Sequence, residues 1–360
     1  MHSIYDDNNN SVLEDKRIRI DLSARKFGSD LALAEMRKKI DAQAQSSMTD
    51  LYSRFKGLGK LINSRIHAIG NRNAVYTTGT IFSIIDTSKN QDEHIAALGS
   101  TLNSIKYYLS GFDINEYCFE GTIYRGYGFG HYLYLAQTIS NYTNSKINLF
   151  TFDLNNLKNV GNFLEYNQVN PSYYAHFFDV SLTASQEKGN FAYMMAAKYH
   201  CTNQLSENVP DEGLSCLMER ANPSSLKNNK KEVVLPEHTY FDNFGIVISR
   251  GRKNNPLSTA IKAGHDAENH IHFNSGSYSL FLADKKITGD IGALSYTAGA
   301  FNDDNKARSL WGHTVPIIEN TIPAKSREAN GKITNATFTN DIDKPGMDTK
   351  AVYHIKSLKK

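Results

Sequence analysis

Three short stretches of the sequence place a reactive or ligand-binding side chain at one end of an apolar, strand-like run. In the first, residues 122–126, the run leads to Arg125 and then directly to Gly126. An arginine at a strand end can bind a phosphate or a ribose, and a following glycine lets the backbone approach a ligand closely. Taken alone, the pattern is more typical of a surface arginine beside a turn.

The second stretch, residues 177–185, closes in the alternating hydroxyls of Ser181, Thr183 and Ser185. Side chains that alternate along a strand point to one face, where hydroxyls can orient a neighbouring carboxylate. Alone, Ser185 is better explained as the cap of a following helix. The third stretch begins with lysines and Glu232 and continues as an apolar run. Alone, Glu232 is typical of a solvated charge.

Taken together and in this order, the stretches resemble the Arg, Ser-Thr-Ser, Glu signature of mono-ADP-ribosyltransferases. The resemblance covers residues 118–248 and is strongest in TIYRGY and KEVVLPEHTYF. Arg125 and Thr183 are 58 positions apart (183 − 125), and Thr183 and Glu232 are 49 apart (232 − 183). Both gaps leave room for the helix and strands that such a domain places between its motifs.

This resemblance implies an enzyme that transfers ADP-ribose from NAD to a protein side chain and releases nicotinamide. Arg125 would bind the NAD phosphate or the adjoining ribose, and the backbone of Gly126 would meet the nicotinamide amide. Thr183 or Ser181 would orient Glu232, the catalytic carboxylate. Breaking an N-glycosidic bond generates positive charge, which a fixed carboxylate in a dry cleft stabilises.

Two departures from the family bear on the details of this site. The middle motif reads Thr183-Ala184-Ser185, so its register stays open. Ser185 is assigned to NAD, as is Tyr193, which could stack on the nicotinamide although packing is the commoner role of such a ring. Lys230 stands where the family has Glu or Gln, on the same face of the strand as the catalytic residue. Its charge is expected to disfavour arginine as the acceptor and to favour a neutral or acidic side chain.

A separate cluster, His265, Asp266, His270 and His272, indicates a different chemistry. On a strand, His270 and His272 would share a face, and His265 or Asp266 could complete the shell of a divalent ion used for hydrolysis. No second ligand group with a recognisable spacing accompanies the cluster, and the transferase site needs NAD but no metal. An NAD glycohydrolase on the same fold and a non-catalytic interaction protein also stay open as alternatives.

The elements that must position these residues follow from the composition of the chain, which changes from one segment to the next. Residues 1–18 are polar and expected to be disordered, and residues 19–110 carry apolar side chains at helical intervals. Residues 111–322 alternate short aromatic and β-branched runs with turn formers, which predicts an α+β catalytic domain. By the resemblance, its split pair of small antiparallel sheets forms the NAD cleft. Residues 323–360 are expected to be a polar C-terminal extension. The individual elements expected include helices over 92–108 and 132–139 and a strand over 244–249.

Composition excludes some classes of partner. The chain has 360 residues and a net charge of +3, too weak a field to indicate a nucleic acid. No apolar stretch is long enough to span a membrane, and the N-terminus has no classical export signal. Many enzymes of the resembled family are bacterial toxins or effectors. The expected localisation is therefore a host cytoplasm, reached by secretion without a signal peptide, or else the cytoplasm of the producing cell.

Overall fold

The computed structural model describes a helical part followed by antiparallel sheets. The described residues are 70–112, 117–118, 120–178, 180, 235–267, 272–291, 305, 309–318 and 321–355. The predicted disordered N-terminus and the helices expected before residue 70 lie outside them. Among the helices described, none combines the length and the apolar character that crossing a membrane requires.

In the helical part, two of the four α-helices that the structure describes follow a residue whose side chain accepts from a backbone amide of the first turn. This part consists of α1 (Asn71–Thr87), α2 (Gln91–Leu109), α3 (Gly121–Tyr142) and α4 (Leu154–Asn167), with a 3₁₀ turn at Leu149–Thr151 before α4. Asn90 accepts from the Asp92 amide at 2.9 Å at the start of α2. Asp153 accepts from the Asn156 amide at 3.3 Å at the start of α4. Such caps replace bonds that the first turn of a helix lacks. Helix α2 confirms the helix predicted there.

Helix α3 contains the TIYRGY stretch, so the strand predicted for that stretch is wrong. The helix is apolar on more than one side, because Phe129, Leu133, Leu135 and Ile139 are all fully buried. A helix buried on several sides lacks the amphipathic period by which helices are recognised in a sequence. Its glycines and aromatic residues then give the sequence a pattern that is typical of a strand. The helix predicted over 132–139 is confirmed as part of α3.

The close packing of α1 on α3 depends on Gly128. A Cβ at this position would lie 2.8 Å from the Cβ of Asn71, closer than two such carbons can approach. The Thr78 hydroxyl of α1 donates to the His131 carbonyl of α3 at 3.0 Å. The Glu120 carboxylate, just before α3, accepts from the Asn71 amide at 2.6 Å. A negative charge at the start of a helix is stabilising, so Glu120 fixes α1 and α3 together.

Strands begin where α4 ends. The first antiparallel pair is β1 (Gln168–Asn170) with β2 (Tyr173–Tyr174). The main sheet is antiparallel in the order β3-β4-β5-β6-β7, with β3 at His238–Phe241, β4 at Ile246–Ser249, β5 at Leu257–Lys262, β6 at Ser277–Leu282 and β7 at Lys285–Thr288. A further pair, β8 (Lys332–Phe338) with β9 (Asp343–Asp348), occupies the expected polar extension. The mixture of helices and small sheets confirms the α+β class, and β4 confirms its predicted strand.

One face of the main sheet packs on the helical part. Side chains alternate along a strand, so every second residue of neighbouring strands faces the same way. The apolar side chains buried on this face together with the helices are Phe241, Ile246, Ile248, Ala260 and Phe281. Tyr117 joins the two parts, because its ring centroid lies 5.2 Å from Phe241 and 5.1 Å from Phe163 of α4. The core is therefore continuous from helix to sheet.

Arg250, the residue after β4, fastens the sheet to the end of α4. The last carbonyls of a helix have no partner within the helix, and a positive charge beside them is favourable. The guanidinium acceptors are the carbonyls of Tyr166 (2.7 Å), Gln168 (2.8 Å), Pro236 (2.8 Å) and Glu165 (3.4 Å), and the Thr239 hydroxyl (2.8 Å). Burial lowers the pKa of Arg250 to about 10, so the side chain stays charged at neutral pH.

Replacing Arg250 with Met should lower the free energy of unfolding by roughly 3 kcal/mol, because buried carbonyls at the end of α4 lose their donor. Equilibrium unfolding in urea measures the change. Arg72→Met, at an exposed position of α1, is the matched control and should alter stability by less than about 0.5 kcal/mol. Similar losses in both variants would contradict the role of Arg250.

Glu165 of α4 is a buried carboxyl whose Oε1 has no hydrogen-bond partner among the described residues. Burial raises its pKa from 4.5 to about 7, and the opposing attraction of Arg125 does not cancel this effect. The folded state therefore binds this proton more tightly than the unfolded chain does. Stability is highest while both states are protonated, and it falls as the pH rises from about 4.5 to about 7.

Glu165→Gln should remove this pH dependence, because the amide does not ionise. The variant is expected to melt at a higher temperature than the wild type at about pH 8, with a much smaller difference at about pH 5. Thermal melts followed by circular dichroism give both values. Glu237→Gln, at an exposed position, should show no such difference. A gap between wild type and Glu165→Gln that is the same at both pH values would contradict the interpretation.

Candidate metal centre

Arg125 and Gly126, which the resemblance assigns to NAD, lie near the start of α3 and not at a strand end. Arg125 is 1% exposed. Its Nε donates to the Val160 carbonyl at 2.7 Å, and its Nη2 donates to the Gly161 carbonyl at 2.7 Å. The guanidinium also lies 4.9 Å from the centroid of the Phe129 ring. These contacts join α3 to the backbone of α4, and they explain why a charged side chain can be buried at this position.

The other residues of the expected NAD site lie outside the described part of the chain. They are Ser181, Thr183, Ser185, Tyr193, Lys230 and Glu232. A functional site among the described residues must therefore be formed by other side chains.

The histidine-rich segment divides between two environments. Among the described residues, His272 lies with Asp290 and His313, and one ligand atom from each falls within 4.8 Å of the others. His270 lies outside the described residues. The grouping of Asp266 with His272 as ligands of one ion is wrong, because Asp266 forms a buried ion pair with Lys262 at 3.0 Å. We call His272, Asp290 and His313 the metal triad.

The β6–β7 hairpin brings two members of the metal triad together. His272 precedes β6 and Asp290 follows β7, so antiparallel pairing places both at the same end of the hairpin. Gly289 makes the approach possible. Its φ is +139°, and a Cβ there would lie 2.5 Å from Ser279 Oγ. A side chain at this position would push the end of β7 away from β6.

His313 reaches the same place through a contact made by its neighbour. The Thr314 hydroxyl accepts from the Tyr278 amide of β6 at 3.1 Å and donates to the Tyr278 carbonyl. Asp290 and His313 follow His272 by 18 (290 − 272) and 41 (313 − 272) positions. These intervals are far longer than the spacing of ligands within one turn of a helix or along one strand. A search of the sequence for ligands close to His272 therefore does not find Asp290 or His313. The isolated Gly-Asp pair after β7 is the one local signal.

The geometry of the metal triad suits a divalent cation. His313 Nδ1 lies 2.5 Å from Asp290 Oδ2, with side chains 0% and 5% exposed, and the rings of His272 and His313 have centroids 5.2 Å apart. His313 Nε2 is buried with no hydrogen-bond partner among the described residues. An unsatisfied buried polar atom costs about 1–3 kcal/mol, a cost that bound metal would offset. Two imidazoles and one carboxylate are a ligand set typical of zinc with one open position.

Wild-type protein freed of metal should bind about one equivalent of Zn²⁺, and His313→Ala should bind it roughly 100-fold more weakly because a ligand is lost. Competition with a chromophoric chelator measures both affinities. His94→Ala is the matched control, since His94 lies in α2 and contacts Tyr142 and Ser88. The same Zn²⁺ affinity in His313→Ala and wild type would refute the centre. The expectation that the chain needs no metal stays a prediction until this titration is made.

Comparisons with known proteins bear on the fold. A crystal structure of heparinase III is similar with a TM-score of 0.60 and 11% sequence identity, covering 96% of this chain and 55% of that chain. A second heparinase III, with methylated lysines, gives a TM-score of 0.56 and 14% identity, covering 95% of this chain and 51% of that chain. This chain thus spans about half the length of the solved structures. No protein-family model and no curated protein matches it.

These similarities overturn the assignment to mono-ADP-ribosyltransferases. The similar solved structures described above are of heparinase III. ADP-ribosyl transfer, NAD hydrolysis, a metal-dependent hydrolase, and a toxin or effector role are therefore wrong. NAD and a protein acceptor were expected only through that resemblance and have no support left, and the expected route to a host cytoplasm stays a prediction. At this level of identity, what the chain shares with heparinase III is the fold.

Proposed function

We propose that this chain is a polysaccharide lyase that cleaves an acidic polysaccharide by β-elimination. The observation that carries the proposal is the similarity in fold to heparinase III across 96% of this chain. Because the chain covers 55% of that structure, the proposal concerns the part that the two proteins share. A fold alone does not determine a reaction, because particular side chains have to supply the chemistry.

β-Elimination defines what such a site must provide. A base removes the proton from the carbon next to the uronate carboxylate. The bond from the adjacent carbon to the bridging oxygen breaks, and an acid returns a proton to that oxygen. One product carries a new carbon–carbon double bond, and no water is consumed. The site therefore needs surfaces that hold sugar rings and a group that exchanges protons near neutral pH.

One face of α3 carries side chains of both kinds. Tyr124, Tyr127, His131 and Tyr134 recur at intervals of three and four residues, which places them along one side of the helix. All of them are partly exposed, in contrast to the fully buried residues on the opposite side. A tyrosine combines an apolar ring with a polar tip, which suits contact with a sugar. We assign this tyrosine face to the polysaccharide.

His131 is the proton-transfer residue that we assign within the tyrosine face. Its Nδ1 lies 2.9 Å from the Tyr127 carbonyl, which can only accept a hydrogen bond. In the neutral ring Nδ1 therefore carries the proton, which makes Nε2 the basic nitrogen of the ring. The Tyr127 ring meets the imidazole edge-on at 4.7 Å. The ring is thus oriented from two sides, as a general base or acid requires.

The metal triad has a supporting part in this proposal. A divalent ion bound by His272, Asp290 and His313 would supply a fixed positive charge in the sheet. The chain's own contribution is to orient the ligands. Because Asp290 contacts Nδ1 of His313, it fixes the imidazole ring, and the β6–β7 hairpin holds His272 and Asp290 in register.

Incubation of the zinc-loaded chain with heparan sulfate, heparin, chondroitin sulfate, hyaluronan and alginate tests the proposal. An unsaturated uronate absorbs in the ultraviolet, and the fragment that carries it is lighter by one water than the corresponding product of hydrolysis. We expect such products from at least one of these polymers. Saturated fragments would indicate hydrolysis, and either that result or the absence of fragments from all of them would refute the lyase.

His131→Ala should lower kcat by about 10²- to 10⁴-fold with a small change in KM, because proton transfer is lost while the sugar contacts stay. Tyr124→Ala should instead raise KM more than it lowers kcat, because it removes binding contacts. His94→Ala in α2 is the control and should keep wild-type values. Wild-type kcat in His131→Ala would show that another residue transfers the proton.

A further inference from the structure

Lys262, the last residue of β5, is a fully buried cation in a dense set of contacts. Its Nζ donates to Asp266 Oδ1 at 3.0 Å, to the His265 carbonyl at 3.1 Å and to Ser275 Oγ at 3.3 Å. Nζ also lies 5.5 Å from the centroid of the Phe178 ring. An ammonium group has three donors and no acceptor, so these bonds use its full hydrogen-bonding capacity.

Asp266 completes this network from the other side. Its Oδ1 accepts from the Ser275 hydroxyl at 2.8 Å, and its Oδ2 accepts from the Ser275 amide at 3.3 Å. The side chains of Lys262 and Asp266 are both 0% exposed. The Gly276 amide also donates to the Lys262 carbonyl at 2.8 Å. The network therefore ties together the two ends of the connection between β5 and β6, residues 263–276.

This connection carries His272 of the metal triad, three residues before Ser275. The chain turns tightly between them, because the Asn274 amide donates to the His272 carbonyl at 2.9 Å. The Tyr353 hydroxyl holds the same turn from the C-terminal part of the chain by donating to the Ser275 carbonyl at 3.3 Å. Fixing Ser275 thus fixes the backbone that delivers His272 to the other two ligands.

A buried ion pair is a poor source of stability. Removing two charges from water costs about as much as their attraction returns, and apolar side chains of similar volume are often as stable or more stable in the same place. Burial lowers the pKa of Lys262, as that cost predicts, while Asp266 acts in the opposite direction. Stability therefore does not explain the ion pair. Its contacts with both ends of the connection indicate that it holds the backbone of the connection in place.

We propose that Lys262 and Asp266 are positioning residues of the metal triad, which hold His272 where it can bind a zinc-class divalent cation together with Asp290 and His313. They act through Ser275 and the backbone of the connection. The proposal rests on the candidate metal centre and is independent of the lyase activity. Loss of groups that orient metal ligands typically weakens metal binding by about 10- to 100-fold.

The test compares the full-length wild type with the paired variant Lys262→Met/Asp266→Leu, with Zn²⁺ as the probe and a chromophoric chelator as competitor. We expect the paired variant to bind Zn²⁺ about 10- to 100-fold more weakly. Its urea midpoint should stay unchanged or rise, because apolar side chains fill the same space. Cobalt(II) in place of zinc gives a second readout, since its visible absorption reports coordination geometry and should change in the paired variant.

The control is Lys350→Met, which removes a partly exposed ion pair with Asp348 at 3.1 Å and should leave Zn²⁺ affinity unchanged. If the paired variant does not fold, Ser275→Ala removes the hydroxyl link alone and should weaken Zn²⁺ binding several-fold. Wild-type affinity and an unaltered cobalt spectrum in the folded variant would overturn the positioning role. Failure of the wild type to bind Zn²⁺ would overturn the metal triad as well, whereas missing unsaturated products would bear only on the lyase proposal.

Discussion

The buried guanidinium of Arg250 is the interaction on which the join between helices and sheet depends. It follows β4 and donates to the last turn of α4, to β1 and to the segment that enters β3. An arginine is suited to this position because its donors lie in one rigid plane and stay charged when buried. A lysine offers fewer donors from a single point. Once these backbones are fixed, the aromatic core around Tyr117 packs between α4 and the sheet.

Helix α4 is held by two buried arginines from opposite parts of the fold. Arg125 of α3 donates to the carbonyls of Val160 and Gly161, and Arg250 donates to carbonyls at the C-terminal end of the same helix. Each guanidinium replaces water around backbone oxygens that packing would otherwise leave unsatisfied. The raised pKa of Glu165 belongs to the same environment, because a carboxyl there is withdrawn from water while the arginines bond to the backbone. The arginine that the sequence resemblance assigns to NAD thus bonds to the backbone of α4.

The metal triad depends on the register of the main sheet. Antiparallel pairing of β6 with β7 places residues 272 and 290 at one end of the hairpin, and the contact of Thr314 with β6 adds His313. The Lys262–Asp266–Ser275 network then holds the preceding connection at both ends. Sheet pairing and a buried polar network therefore act together to assemble a site from residues that are far apart in the chain. The proposed tyrosine face needs no pairing between elements, because helix α3 alone places its side chains on one side.

The sequence by itself determined the elements whose signals are local. Helix α2 follows from its regular apolar period, and β4 follows from its β-branched run. Tertiary structure decided α3, whose burial on several sides removes the period that marks a helix, and the structural role of Arg125, whose acceptors lie 35 and 36 residues away. It also decided the metal triad. Spacing along a chain reports contacts within one element, whereas sheet register and packing between elements are set by burial across the whole fold, which no short motif contains.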